Sequence, residues 1–191
     1  MSHSSAKRNR VRIIGGQWRS RVIEFPAIPD LRPTPDRVRE TLFNWLGQSL
    51  SGKRCLDLFA GSGVLGFEAL SRAAERVVMV DASPKACAAL RENAARLQAK
   101  NLELACRDAL QFLAACGERF DVIFLDPPYR MGLAGPLLAE LPRLLNPDGL
   151  VYLEADLPLD PGASWEVWRG GRAGQVHYWL LRLEQGAAHA Q

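Results

Sequence analysis

The sequence predicts an α/β protein built on a doubly wound, mostly parallel sheet, with a small β-hairpin and a helix ahead of it. Two patterns carry that expectation. From Lys53 onward, short apolar runs alternate with amphipathic stretches of helical spacing. Repeated βα units demand right-handed crossovers, and strands that are apolar throughout are strands covered on both faces. Near the C-terminus the alternation gives way to two strand-like segments joined by a turn, so an antiparallel pair is expected to close the sheet.

The elements follow in order. Residues 1–9 and 186–191 are small and polar, and read as disordered tails, the first of them basic. Residues 10–14 and 20–25 read as short strands around Gly15-Gly16. Alternation puts Val11 and Ile13 on one face and Arg10 and Arg12 on the other. Pro26 to Pro33 is a proline-rich loop. Thr34-Pro35 has the form of a helix start, with Thr as N-cap and Pro at the first helical position. That helix should run to about Leu46, with Val38, Leu42 and Leu46 along one side. Strands are expected at 54–59, 76–81, 101–106, 121–126 and 149–154. Helices are expected between them at 63–73, 84–98, 109–117 and 134–145. Residues 165–169 and 175–183 form the closing pair, with its turn expected at Gly170-Gly171. Residues 10–50 thus read as an N-terminal extension and 51–185 as the main domain.

The chain has 191 residues, which fits one domain of the usual ~100–200 with a short appendage. At 48% hydrophobic and 24% charged it is ordinary for a soluble globular protein. No apolar run approaches the ~18–20 residues of a membrane span. Met1 to Arg10 is polar and basic with no apolar stretch behind it, so no secretory signal is expected. Cys55, Cys87, Cys106 and Cys116 form no CxxC pair and read as reduced residues of a cytosolic protein. His3, His177 and His189 stand in no zinc-like spacing to them, so no metal is expected.

The net charge of +3 hides an asymmetry. Residues 1–39 hold nine Lys/Arg against three acids, whereas the rest of the chain holds 15 basic and 18 acidic residues. A basic segment on a mildly acidic body points to a polyanionic partner, although a solvated tail would have the same composition.

Four stretches carry chemistry. The first runs Asp57-Leu58-Phe59-Ala60-Gly61-Ser62-Gly63-Val64-Leu65-Gly66, at the end of the first parallel strand and the start of a helix. Its glycines permit a tight turn and close approach of a ligand to the backbone, and open α/β sheets bind ligands outside the carboxyl ends of their strands. A cofactor is expected here, on Asp57, Phe59, Gly61, Gly63 and Gly66. The second is Asp81, which ends the next strand; a carboxylate there can accept from the hydroxyls of a ribose, or cap the following helix. The third is Asp108, after the third strand, which can accept from an adenine amino group or cap its helix, or do both.

The fourth is Asp126-Pro127-Pro128-Tyr129, at the end of the fourth strand. In a doubly wound sheet that strand neighbours the first, so this loop faces the glycine turn. Two prolines remove two backbone donors and stiffen the chain. What remains is a set of acceptors, the Asp126 carboxylate and the Pro127 carbonyl, beside the flat face of Tyr129. An exocyclic amine on a nucleic-acid base asks for that combination.

These stretches resemble the class I amino-methyltransferases, whose Rossmann-like fold is a seven-stranded sheet with an antiparallel last strand. More narrowly, the chain resembles the bacterial 16S rRNA guanine-N2 methyltransferases of the RsmD family. The likeness rests on 12–19 (RIIGGQWR), 31–40 (LRPTPDRVRE) with 42–46 (LFNWL), Asp57 to Gly66 and Asp126 to Tyr129, and spans about 10–184. The loop at Asp126 alone is shared with adenine-N6 and glutamine-N5 enzymes; the segment at 31–40 is the narrower signature. The tail after Leu183 adds no motif.

The resemblance implies S-adenosylmethionine as cofactor, with Asp57 near its methionine part and Asp81 on its ribose. It implies catalysis by Asp126, Pro127 and Tyr129 on a guanine of 16S rRNA, within an assembled or partly assembled 30S subunit. The N-terminal extension would hold RNA phosphates through Arg10, Arg12, Arg19, Arg21, Arg32, Arg37 and Arg39, in a protein that is monomeric by default. The rival retained is an adenine-N6 methyltransferase. Such enzymes carry Asn at the first loop position and a separate target-recognition domain, where this chain has Asp126 and little spare length. A nicotinamide oxidoreductase would need a catalytic Tyr/Lys or His set that does not stand out. A non-catalytic RNA-binding protein would not need an intact cofactor turn.

Overall fold

The structure, a computed structural model, describes residues 8–27, 33–128, 132–158 and 160–184. The N-terminal hairpin pairs β1 (Arg8–Arg12) with β2 (Val22–Pro26), joined through a 3-10 turn at Gly16–Trp18. Helix α1 (Asp36–Leu46) follows. Then come β3 (Arg54–Asp57), α2 (Val64–Ser71), β4 (Arg76–Asp81), α3 (Pro84–Leu97), β5 (Leu102–Cys106), α4 (Ala109–Ala115), β6 (Phe120–Leu125), α5 (Ala134–Glu140) and β7 (Leu145–Ala155). Strands β8 (Trp165–Ala173) and β9 (Val176–Leu183) close the chain.

Seven strands share one sheet in the order β5-β4-β3-β6-β7-β9-β8. The first five pair in parallel, and β9 lies antiparallel to both β7 and β8. The expected doubly wound sheet with an antiparallel last strand is therefore present. The apolar runs of β4 and β6 are buried because helices cover both faces. On one face Val38, Leu42 and Phe43 of α1, Phe67 of α2 and Leu90 of α3 pack over Cys55, Val77, Met79 and Phe124. On the other, Leu113 of α4 and Leu137 of α5 pack over Leu56, Val78, Ile123 and Val151.

Three local expectations are corrected. Thr34 does not cap α1: the cap position falls on Pro35, with no side-chain cap. The Thr34 hydroxyl instead donates to Glu154 Oε1, 2.7 Å away. The last turn is not at Gly170-Gly171, which lie inside β8 opposite Trp179 and Tyr178. A side chain at Gly171 would run into the Tyr178 ring, so glycine serves packing there. The chain reverses at Gly174, whose φ of 61° suits glycine. Finally, the helix expected over 134–145 stops at Glu140 and tightens into a 3-10 turn around Pro142, which lacks the backbone donor an α-helix needs. The terminal tails fall outside the described residues, apart from the first residues of β1.

The hairpin and α1 are fastened to α2 through polar groups buried at their joint. Arg39, fully buried, donates to the carbonyls of Thr34 (3.0 Å) and Arg12 (2.9 Å), to Asp36, and to Glu68 Oε1 at 2.6 Å. The same Glu68 oxygen accepts from Ile14 N at 2.6 Å. Removing one member of a buried ion pair strands the other charge. Arg39→Met is therefore expected to lower unfolding free energy by about 3–5 kcal/mol in urea titration; a loss below about 1 kcal/mol would show that the pair is energetically idle.

Candidate active site

The site lies where the carboxyl ends of β3, β4, β6 and β7 meet. The turn after β3 depends on missing side chains. Gly63 stands just before α2 with φ 78°, in the left-handed region. A Cβ on it would strike Leu90 and Phe67, and one on Gly66 would strike Met79. Glycine at these two positions therefore lets the turn pack directly against α3 and β4, which sets the path of the backbone at the strand end.

Two carboxylates brace this turn. Asp57, buried, accepts from Gly66 N at 3.0 Å. Burial pushes its carboxyl up to about 7, against the opposing Gly66 hydrogen bond and with Asp81 adding repulsion. Asp81 Oδ2 accepts from Gly61 N, and Oδ1 from Ser83 N, each at 2.8 Å. Ser83 rather than Asp81 caps α3, through Ala86 N. Asp81 thus ties the end of β4 to the glycine turn and retains free lone pairs. Asp108 caps α4, accepting from Leu110 N and Gln111 N on one oxygen. Phe59 is half-buried against the α4 side of the sheet.

Strand β6 pairs directly with β3, Asp57 standing opposite Phe124. Alternation from Phe124 puts Asp126 on the face that carries Asp57. Pro127 is buried beside it and Pro128 exposed, while Tyr129 lies outside the described residues. No hydrogen bond satisfies the Asp126 carboxyl among the described residues. Burial first, then Glu154 and Asp57, holds it well above the usual carboxylate range. The arrangement sets the tightly packed glycine turn and the Asp81 carboxylate on one side and an unspent acceptor, Asp126, on the other.

The family model described as conserved hypothetical protein 95 matches residues 11–182. The ribosomal RNA small subunit methyltransferase D of Escherichia coli K12 is 43% identical, over 99% of this chain and 98% of its own. Its counterpart in Haemophilus influenzae is 39% identical, over 92% and 95%. A solved structure of a putative methyltransferase from Escherichia coli superposes with a TM-score of 0.83 at 42% identity, covering 92% of this chain and 99% of that one. The chain belongs to the ribosomal RNA small subunit methyltransferase D family. It is a methyltransferase, with the α/β sheet its family neighbours share.

Within this family member the expected phosphate contacts divide. Arg19, Arg21 and Arg37 are exposed. Arg10 and Arg12 are exposed too, but meet Glu24 at 3.5 Å and Asp36 at 3.2 Å. Arg32 lies outside the described residues. Arg39 is a correction: with no exposure and its donors turned inward, it holds the fold and does not face RNA.

Sequence reading missed Glu154, near the end of β7, together with its donors Thr34 and Tyr152. The signal was available, because an acid at the carboxyl end of a core strand is what singled out Asp57, Asp81 and Asp126.

The Asp57 carboxyl bears on stability. Its folded value of about 7 lies above the ~3.9 of an unfolded chain, so the folded protein keeps a proton that the unfolded chain has lost. Stability from this group is present below pH ~4 and lost as pH rises to about 7. Asp57→Asn cannot ionise. The melting temperature of the variant minus that of the wild type is expected to rise across this window and level off above it. A pH-independent difference in thermal melts would show that the carboxyl is not held protonated.

Proposed function

We propose that this protein transfers a methyl group from S-adenosylmethionine to the exocyclic N2 of a specific guanine in 16S rRNA. One observation carries the reading: the glycine turn and the Asp126 loop leave hydrogen-bonded neighbouring strands, β3 and β6, on the same side of the sheet. The small-subunit ribosomal RNA in the names of its relatives supports the choice of polymer.

The residues fit the cofactor. Gly63 and Gly66 let the turn close tightly against Leu90, Phe67 and Met79, Asp81 stands at the strand end with lone pairs for ribose hydroxyls, and Asp57 lies beneath the turn. Asp108 keeps one carboxylate oxygen for the adenine amine while the other caps α4. Phe59 adds apolar surface. When bound, S-adenosylmethionine supplies a sulfonium-activated methyl group.

A guanine N2 lone pair is delocalised into the ring and nucleophilically weak. Asp126 and the Pro127 carbonyl accept hydrogen bonds from N2–H, orient the lone pair and favour positive charge building on nitrogen. In its poorly solvated position each such bond counts for more than in water. Tyr129 supplies a stacking face for an extruded base, worth ~1–3 kcal/mol. Residues 10–50 form the RNA-binding extension, where Arg10, Arg12, Arg19, Arg21, Arg32 and Arg37 neutralise phosphates. The enzyme works as a monomer in the cytoplasm on an assembled or partly assembled 30S subunit.

Labelled S-adenosylmethionine offered with 30S subunits lacking the modification, naked 16S rRNA or duplex DNA, followed by nucleoside mass spectrometry, tests the reading. N2-methylguanosine from the ribosomal substrate is expected. N6-methyladenine, or label only in DNA, would replace it with the adenine-N6 alternative. Asp126→Ala should cut turnover by about 100- to 1,000-fold while calorimetric cofactor affinity holds within a few fold; equal loss of both would remove Asp126 from the chemistry. Arg19→Ala and Arg21→Ala should each flatten the dependence of log affinity on log salt by about 0.7–0.9. An unchanged slope would take these side chains off the phosphates.

A further inference from the structure

Glu154 sits near the end of β7, buried to 3% exposure. Its surroundings are unusual for a carboxylate. Among the described residues it has no cationic partner. Two hydroxyls, Thr34 Oγ1 at 2.7 Å and Tyr152 Oη at 2.9 Å, both donate to its Oε1. Neither the reaction proposed above nor the packing of the core uses this acid, and glutamine or leucine would fill its volume without the desolvation cost of a carboxyl. A burial of this kind, at the carboxyl end of a central strand, marks a functional position.

The sheet register shows which group Glu154 faces. Strands β6 and β7 run parallel, with Phe124 opposite Tyr152 and Leu125 opposite Leu153. The next step of that ladder brings Asp126 level with Glu154, both on the face of Phe124 and Tyr152. We propose that Glu154 is a positioning residue for Asp126, a second carboxyl that sets its orientation and proton occupancy, and that Thr34 makes this pairing depend on the docked segment ahead of α1. The catalytic part of this assignment rests on the function proposed above for Asp126.

Like charges on neighbouring carboxyls cannot both ionise cheaply, so the first proton lost is shared between the sites and the second is held to higher pH. Asp57 on β3 presses on Asp126 in the same sense, and burial keeps the Tyr152 phenol protonated well above its ordinary range, while the Tyr178 ring on β9 packs against it. The Thr34 and Tyr152 hydroxyls favour the charged form of Glu154, which in turn keeps the proton on Asp126 longer. Arg39 anchors the Thr34 carbonyl, so the donor is held by the same buried joint that docks the hairpin.

Carboxyl-carbon NMR titration of the full-length protein, with aspartate and glutamate side chains labelled, reads this directly and needs no substrate. In the wild type the Asp126 resonance is expected to titrate in two steps, the second matched by Glu154. In Glu154→Gln, which keeps shape and the hydroxyl acceptor, it should collapse to one step at least one pH unit lower. Thr34→Val should move the Asp126 curve in the same direction by a smaller amount. The rising limb of methyl-transfer rate against pH should shift with it in each variant, at unchanged cofactor affinity. A single Asp126 step at the same pH in wild type and Glu154→Gln would overturn the pairing, and a Thr34→Val titration identical to wild type would sever the link to the N-terminal segment. Transfer by the wild type with uncoupled titrations sinks this inference alone. Coupled titrations without any transfer sink the proposed function and leave the carboxyl pair standing.

Discussion

The contact on which the rest depends is the buried ion pair between Arg39 and Glu68, 2.6 Å apart with neither side chain exposed. Taking both charges out of water costs several kcal/mol per ion, and their attraction repays that only when the remaining donors and acceptors are also met. Here most of them are. Arg39 reaches two backbone carbonyls and Asp36, and Glu68 receives Ile14 N as well as the guanidinium. The exception is Glu68 Oε2, which has only Arg72 Nε, 3.5 Å away, a separation too long to count as a hydrogen bond. Burial accordingly holds the Glu68 carboxyl above its ordinary value despite Ile14, Arg39 and Arg72. The pair contributes little net energy against an apolar alternative, but it admits one docking position for the hairpin and α1. Any slip strands a charge.

The carboxyl ends of the strands collect acid groups. Asp57, Asp81, Asp126 and Glu154 stand at the ends of β3, β4, β6 and β7. No cation in the described structure neutralises Asp57, Asp126 or Glu154, and all three carboxyls are raised chiefly by burial. A fold selected for stability alone has no use for this. Carboxyls in a poorly solvated cleft draw a cation, and the sulfonium of the proposed cofactor is one. The same fields that make the free site costly then favour occupancy, so stability and function pull in opposite directions at this edge, and the ion-paired, well-packed body of the protein bears the difference.

The parallel strands, the glycine turn and the Asp126 loop were legible because each is a local pattern. An apolar run bounded by turn residues announces a covered strand, and glycines at fixed offsets announce close backbone approach. What stayed hidden depends on partners far along the chain. Thr34 before Pro35 has every local mark of a helix cap, yet its hydroxyl is claimed by Glu154, 120 residues away. Arg39 sits in an arginine-rich stretch and reads as a surface charge, because arginine is seldom fully buried without a partner. That partner, Glu68, stands on another helix. Gly170-Gly171 reads as a turn, whereas the two glycines are flat space for the rings of Trp179 and Tyr178 across the pair.

Packing explains why an RNA-facing extension would be built this way. The core above β6, β7 and β9 continues into α1 through a run of rings, Phe43 to Phe124 at 6.1 Å, Phe124 to Tyr152 at 6.5 Å, Tyr152 to Tyr178 at 6.5 Å and Tyr178 to Trp45 at 5.7 Å. Phe124 lies two residues before Asp126, and Tyr152 donates to Glu154. The extension and the reacting edge thus share one apolar layer, and close-packed layers transmit displacement instead of absorbing it. Arginines on a flexible arm would gather RNA but leave the target base free to wander by ångströms, a misplacement that costs orders of magnitude in rate. If the proposed function holds, arginines on a hairpin locked to α2 through Arg39, and to the sheet through α1, would fix the polymer in the same frame as the Asp126 carboxylate. On that reading the buried charge at the hairpin joint is a device for precision at Asp126, which it reaches through Thr34 and Glu154.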